Sequence, residues 1–175
     1  MTRSIALLRG VNVGGRNKLP MAQFASALEG LGCSNVRTYI QSGNAVFDGV
    51  TSAADIAAAV KKAAGFAPRV FLTSAAAFRK IAAANPFAKE AAANGKSVHL
   101  FLLDGAPTAD GAAALGEIKH PREDFAILGG ALFLLTPEGV AGSKIAEKID
   151  RALGVNTTAR NWNTVMALID LAEAG

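Results

Sequence analysis

The stretch Ile5-Ala-Leu-Leu-Arg9-Gly-Val-Asn-Val-Gly-Gly-Arg16-Asn-Lys-Leu-Pro20 decides how the chain is read. Ile5–Leu8 is too short for a helix and too apolar for a half-exposed strand, so it predicts a buried strand. Arg9 ends that strand. The loop from Arg9 to Pro20 then holds three glycines, three cations and two asparagines. Such a loop exposes backbone N–H groups and positive charge, which suits an anion. Pro20 sits where a first helical turn tolerates it. Met21, Phe24, Leu28 and Leu31 recur at helical spacing, and Gly32 supplies the stop.

Working outward, Val36–Ile40 reads as a second strand, Gln41-Ser42-Gly43-Asn44 as a turn, and Ala45–Asp48 as the returning strand. Ser52-Ala-Ala-Asp55 is an acidic variant of the capping box. The helix behind it carries Ile56, Val60 and Ala64 and ends near Gly65. Pro68 breaks the chain, and Arg69–Thr73 makes a fourth strand. This β-α-β-β-α-β order is the split pattern of a ferredoxin-like unit.

The second half repeats the order. Ser74 caps a helix with Phe78 and Ile81 on one face, stopped by Asn85-Pro86. Residues 87–96 read as an alanine-rich linker holding some helix. Ser97–Leu103 is a strand, and 107–119 a weaker helix. Phe125–Leu128 and Ala131–Leu135 flank Gly129-Gly130, a two-residue hairpin turn. Ser143 caps a helix that ends at Gly154. Val155–Arg160 is a short strand, and Asn163 or Thr164 caps a last helix. The fold class is therefore α+β: two consecutive ferredoxin-like α/β sandwich units with an additional C-terminal helix. The units divide as 1–80 and 81–175, with the boundary inside 74–96.

Composition narrows the function classes. At 175 residues and 51% hydrophobic the chain buries a sizeable core. Charged residues make up 18%, and the net charge is +4. The excess is concentrated: Arg3, Arg9, Arg16, Lys18 and Arg37 against Glu29 alone give residues 1–44 the whole +4. Such a field attracts phosphate or carboxylate; the plain alternative is scattered solubilising charge. One cysteine, Cys33, excludes a disulfide framework and reads as a small buried hydrophobe. No signal peptide or membrane span is visible, so a cytoplasmic protein without a membrane partner is expected.

Two blocks resemble a known family. Leu8-Arg-Gly-Val-Asn-Val-Gly-Gly-Arg-Asn-Lys-Leu-Pro20, continuing to Arg37-Thr-Tyr-Ile-Gln-Ser-Gly-Asn44, resembles the opening of proteins grouped as domain of unknown function 1697. Thr158-Ala-Arg-Asn-Trp-Asn-Thr-Val165 and Ser143-Lys144 match its closing part. The resemblance implies a soluble bacterial protein with no assigned reaction. The family usually has Lys where this chain has Arg16, which keeps the charge. It supplies no catalytic residues.

The candidate ligand-binding residues come from these polar blocks: Arg9, Asn12, Gly14, Gly15, Arg16 and Lys18 in the loop, Ser42 and Asn44 in the turn, and Lys144, Arg160, Asn161, Trp162 and Asn163 late in the chain. Gly10-x4-Gly15 approaches a P-loop, but Arg16-Asn17 replaces the Lys and hydroxyl that contact phosphates and magnesium, and the helix starts late. A looser anion nest at Gly14-Gly15 competes with a glycine connection packed against strands. Ser42-Gly43-Asn44 is a turn first; simple strand pairing sets it at the opposite end of the sheet from the loop. At Arg160–Thr164 two readings stay open: Trp162 stacking on a base while Arg160 pairs with phosphate, or a helix start with its cap and staple. Ser143, Lys144 and Glu147 read as a helix start with surface pairs.

His99, inside an apolar strand, reads as a satisfied buried histidine. No metal site or cofactor is expected. The leading expectation is a module binding a phosphorylated small molecule or nucleotide. One alternative is single-stranded nucleic acid, with Tyr39 and Phe47 as the only stacking candidates in the first sheet. Another is an enzyme acting on an anionic substrate, with Asp48 and Asp104 the nearest strand-end acids.

Overall fold

The computed structural model describes residues 2–174. Its elements are β1 (Arg3–Arg9), α1 (Met21–Glu29), β2 (Ser34–Tyr39), β3 (Asn44–Asp48), α2 (Ala53–Ala64), β4 (Arg69–Ser74), α3 (Ala75–Ala83), α4 (Ala88–Ala93), β5 (Val98–Leu103), α5 (Ala109–Ile118), β6 (Asp124–Leu128), β7 (Ala131–Leu135), α6 (Lys144–Leu153), β8 (Thr157–Asn161) and α7 (Trp162–Glu173). They form two compact units, residues 2–79 with 166–174, and Lys80–Val165. The C-terminal part of α7 thus belongs with the first unit.

In the first unit the strand order is β2-β3-β1-β4, every pair antiparallel. This is the order that two split β-α-β crossovers produce. Ala6 and Leu8 of β1, Ala45 and Phe47 of β3, and Val70 and Leu72 of β4 share one face, packed on Phe24 and Leu28 of α1 and Ile56 and Val60 of α2. Each large side chain buried there contributes about 1.5–3 kcal/mol. Ile5, Leu7, Val46 and Phe71, on the other face, are buried too. That explains why β1 is a short continuous apolar run instead of an alternating one.

At one edge of that second face, Arg3 grips Asp48 with two N–H···O bonds of 2.8 and 2.9 Å, and Asn35 adds a third to the same carboxylate at 2.9 Å. Arg3 also donates to the Ala172 carbonyl in α7 at 2.8 Å. The expected caps form at their positions. Ser52 Oγ accepts from the Asp55 N–H at 3.0 Å and donates to its carboxylate at 2.6 Å. Ser74 Oγ accepts from the Ala77 N–H.

The second unit has the same plan, order β6-β7-β5-β8, all antiparallel. Phe101, Leu132 and Leu134 pack on Leu115 of α5 and Ile145, Ile149 and Leu153 of α6. The turn at Gly129-Gly130 and the Ser143 cap of α6 lie where the sequence places them.

One cap differs from expectation. The last helix begins at Trp162, and Asn161 Oδ1 accepts from the Thr164 N–H at 3.0 Å. Strand β8 runs straight into α7, so its final residue caps the helix; Asn163 and Thr164 already lie within it.

Candidate functional site

The Arg9–Pro20 loop is a small arm with its own hairpin. The Asn12 N–H donates to the Asn17 carbonyl at 3.0 Å, and the Arg16 N–H to the Val13 carbonyl at 3.0 Å. Gly14 and Gly15, the two central residues, have φ of 57° and 74°. Positive φ at both positions defines a primed turn that side-chain-bearing residues adopt only under strain. Asn12 and Asn17 also sit in the left-handed region, which asparagine tolerates better than most residues.

The asparagine side chains brace the arm. Asn17 Nδ2 donates to the Gly10 carbonyl at 2.9 Å. Asn12 Oδ1 accepts from the Leu19 N–H at 2.8 Å, and its Nδ2 donates to the Leu19 carbonyl at 2.9 Å and to the Gln41 carbonyl at 2.7 Å. The arm is therefore tied to the β2–β3 turn.

That tie corrects the expected geometry. Strands β1 and β2 both run antiparallel to β3, so α1 returns the chain parallel to β1 and the next turn falls at the C-terminal end of β1. The Leu8 N–H donates to the Gly43 carbonyl at 2.8 Å. A side chain at Gly43 would begin 2.7 Å from both Leu8 Cβ and Val11 Cγ2. The glycine loop and Ser42–Asn44 are neighbours, at the same end of the sheet.

Within the turn, Asn44 is fully buried, and its Nδ2 donates to the Tyr39 carbonyl at 3.0 Å and to Ser42 Oγ at 2.8 Å. Ile40 is 51% exposed at φ 47°, a rare conformation for a β-branched residue. Val13, at the start of the arm's turn, is also exposed.

The cations supply the charge. Arg9, Arg16 and Lys18 are exposed, and among the described residues the Arg16 and Lys18 side chains have no ion-pair partner. The β1–β4 register sets Arg69 directly opposite Arg9. Arg69 is a fourth cation at this end of the unit, one the sequence reading missed. Strand register is the only signal that finds it, because Arg69 lies sixty positions further along the chain than Arg9.

Lys144, Arg160, Asn161, Trp162 and Asn163 belong to the second unit. Arg160 Nη1 donates to Thr158 Oγ1 at 3.1 Å and to the Ala159 carbonyl at 2.7 Å. Burial pushes its guanidinium down to about 10, so it stays charged at neutral pH. The Trp162 N–H donates to the Gly95 carbonyl at 2.9 Å, and Gly95 leaves no room for a side chain against Asn163. The geometry of this block is that of a helix start seated on the Asn94–Gly95 turn.

Two further expectations change. Phe47 is fully buried in the first core and presents no ring to a base. His99 is not satisfied: its Nδ1 is buried with no hydrogen-bond partner, and burial lowers its pKa. Asp48 is held well below the usual carboxylate range by hydrogen bonds from Arg3 and then Asn35. Asp104 accepts from the Asn156 N–H and Nδ2, both at 2.8 Å. Cys33 is buried, as expected, which raises its thiol pKa.

A family model described as a protein of unknown function, DUF1697, matches residues 1–133, from ahead of β1 to within β7. This chain belongs to the DUF1697 family. Among solved structures, the conserved bacterial protein SP0830 from Streptococcus pneumoniae is 22% identical, covers 98% of each chain and superposes with a TM-score of 0.71. It shares the fold of this DUF1697 protein. An unknown protein from Galdieria sulphuraria, 10% identical over 99% of this chain and 92% of its own, has a TM-score of only 0.26. No curated protein matches. None of the helices among the described residues is long and apolar enough to cross a membrane.

Proposed function

We propose that the first unit binds a phosphate-bearing small molecule or nucleotide on the Arg9–Lys18 arm. The observation that carries this reading is that exposed, unpaired Arg16 and Lys18 stand on a loop braced by Asn12 and Asn17. A braced loop loses little freedom when it binds, so less interaction energy goes into ordering it. Arg16 suits two-point contact with phosphate oxygens, and Lys18 acts as a point charge. Arg9 and Arg69 add positive potential at the base of the arm.

Calorimetric titration with pyrophosphate, AMP and ATP tests the reading. Binding is expected for wild type and at least about tenfold weaker for the R16A/K18A double variant, the loss of two charge-assisted contacts. Equal affinity in both proteins, or no heat at millimolar ligand, refutes it.

A second reading, single-stranded nucleic acid, draws support from the exposure of residues 12–18 along the arm. Burial of Phe47 weakens it, leaving half-buried Tyr39 as the one stacking candidate in that sheet. A steep fall in RNA affinity with salt favours this reading over a small ligand. For catalysis, the two strand-end acids are both engaged by neighbouring side chains, and nothing at the arm favours it.

A further inference from the structure

A cavity of about 670 Å³ opens in the second unit, where residues 117–123 after α5 face the 136–144 connection into α6. Small-molecule sites run from roughly 300 to 1,000 Å³. The walls are fixed by their own bonds. Arg122 pairs with Glu138 of the facing segment. The Glu123 carboxylate accepts from the His120 N–H, and His120 Nδ1 from the Arg122 N–H. Asp124 takes the Lys119 ammonium at 2.9 Å.

Two cations are left over. Lys144 and Lys148 lie one turn apart on α6 and both line the cavity. Among the described residues neither ammonium has an ion-pair or hydrogen-bond partner, so the expected surface pair at Lys144 does not form. Like charges at this spacing repel. Glu147, the acidic residue of the same turn, does not line the cavity.

We propose that this cavity binds a small phosphorylated polyhydroxyl compound, with its phosphate between Lys144 and Lys148. A dianion there turns their mutual repulsion into attraction. The remaining wall selects the body of the ligand. No phenyl, phenol or indole ring lines the cavity, and its one imidazole, His120, is bonded at Nδ1 to the Arg122 N–H, so the wall offers hydrogen-bonding groups over more of its area than it offers stacking surface. Glu117 and Glu123 present carboxylate oxygens, which accept hydrogen bonds from hydroxyl groups and repel further negative charge. One phosphate with several hydroxyls meets these demands; a triphosphate does not. The site lies in the second unit and is independent of the arm.

Calorimetric titration of the full chain with glucose 6-phosphate, glucose and ATP tests this. In the R16A/K18A background, where the arm's contribution to ATP binding is removed, glucose 6-phosphate is expected to bind at least about tenfold more tightly than glucose or ATP, and to lose about tenfold or more when K144Q/K148Q is added. Both lysines are at the surface, and circular dichroism establishes that the variant is folded. The R16A/K18A variant separates the two sites: it keeps glucose 6-phosphate binding whether or not the arm binds phosphate. Absence of binding by wild type, unchanged affinity in K144Q/K148Q, or affinity for inorganic phosphate equal to that for glucose 6-phosphate overturns the proposal.

Discussion

Asn12 Nδ2 donates to the carbonyl oxygen of Gln41 across 2.7 Å, joining the first loop to a turn 29 residues away. With its two bonds to Leu19, this side chain converts a glycine-rich connection into an arm of fixed direction. The Asn12→Ala variant is therefore expected to lose about 1–3 kcal/mol, each lost bond being worth roughly 1 kcal/mol net. Urea denaturation measures it. A loss below a few tenths of a kcal/mol contradicts the bracing role.

Gly43 and Gly10 separate two costs. Both have positive φ, 77° and 72°, but only Gly43 is crowded, by Leu8 and Val11. Gly10→Ala is expected to cost about 1–2 kcal/mol from backbone strain alone. Gly43→Ala adds overpacking of about 1–3 kcal/mol. Equal destabilisation of the two variants argues against close packing of the turn on β1.

Asp48 links stability to acid. Its native pKa is depressed by Arg3 and Asn35, so its contribution is complete above the unfolded value of about 4 and disappears as pH falls through the native value. Melting temperatures followed from neutral pH downward are expected to fall less steeply for Asp48→Asn than for wild type. Parallel curves contradict the assignment.

His99 acts at higher pH. Burial lowers its native pKa, so the unfolded chain takes up the proton first, and stability rises with pH up to the unfolded value of about 6.5. In His99→Leu that rise is expected to flatten, and the buried Nδ1 without a partner is removed. Equilibrium unfolding at a series of pH values from mildly acidic to neutral decides it; an unchanged slope counts against a desolvated imidazole.

Much of the fold was legible because local signals mark its boundaries. Ser52, Ser74 and Ser143 all cap the helices they precede, and Gly65 and Gly154 end theirs in the left-handed conformation. What local pattern does not carry is which end of a sheet a turn reaches, since that follows from strand direction after the crossover. Hence the local pattern alone places the Gly43 turn away from the arm it touches. Arg69 is likewise found only through register, since it lies sixty positions along the chain from Arg9. Composition showed that Asn12, Asn44 and Asn161 have hydrogen-bonding capacity. It did not show that backbone groups of the arm, the turn and α7 would take it up. Sequence alone makes His99 a satisfied buried histidine because nothing in the strand reveals its neighbours: Leu134 and Asn161 lie across from it.

Whether the braced arm receives phosphate is read residue by residue from amide chemical shifts. On titrating the full isotope-labelled chain with pyrophosphate to about 10 mM, a range that reports even millimolar affinity, the amides of Arg16, Asn17 and Lys18 are expected to move saturably. In R16A/K18A the remaining arm amides are expected to stay largely still. An arm whose amides do not shift in wild type, or shift equally in the variant, contradicts the account.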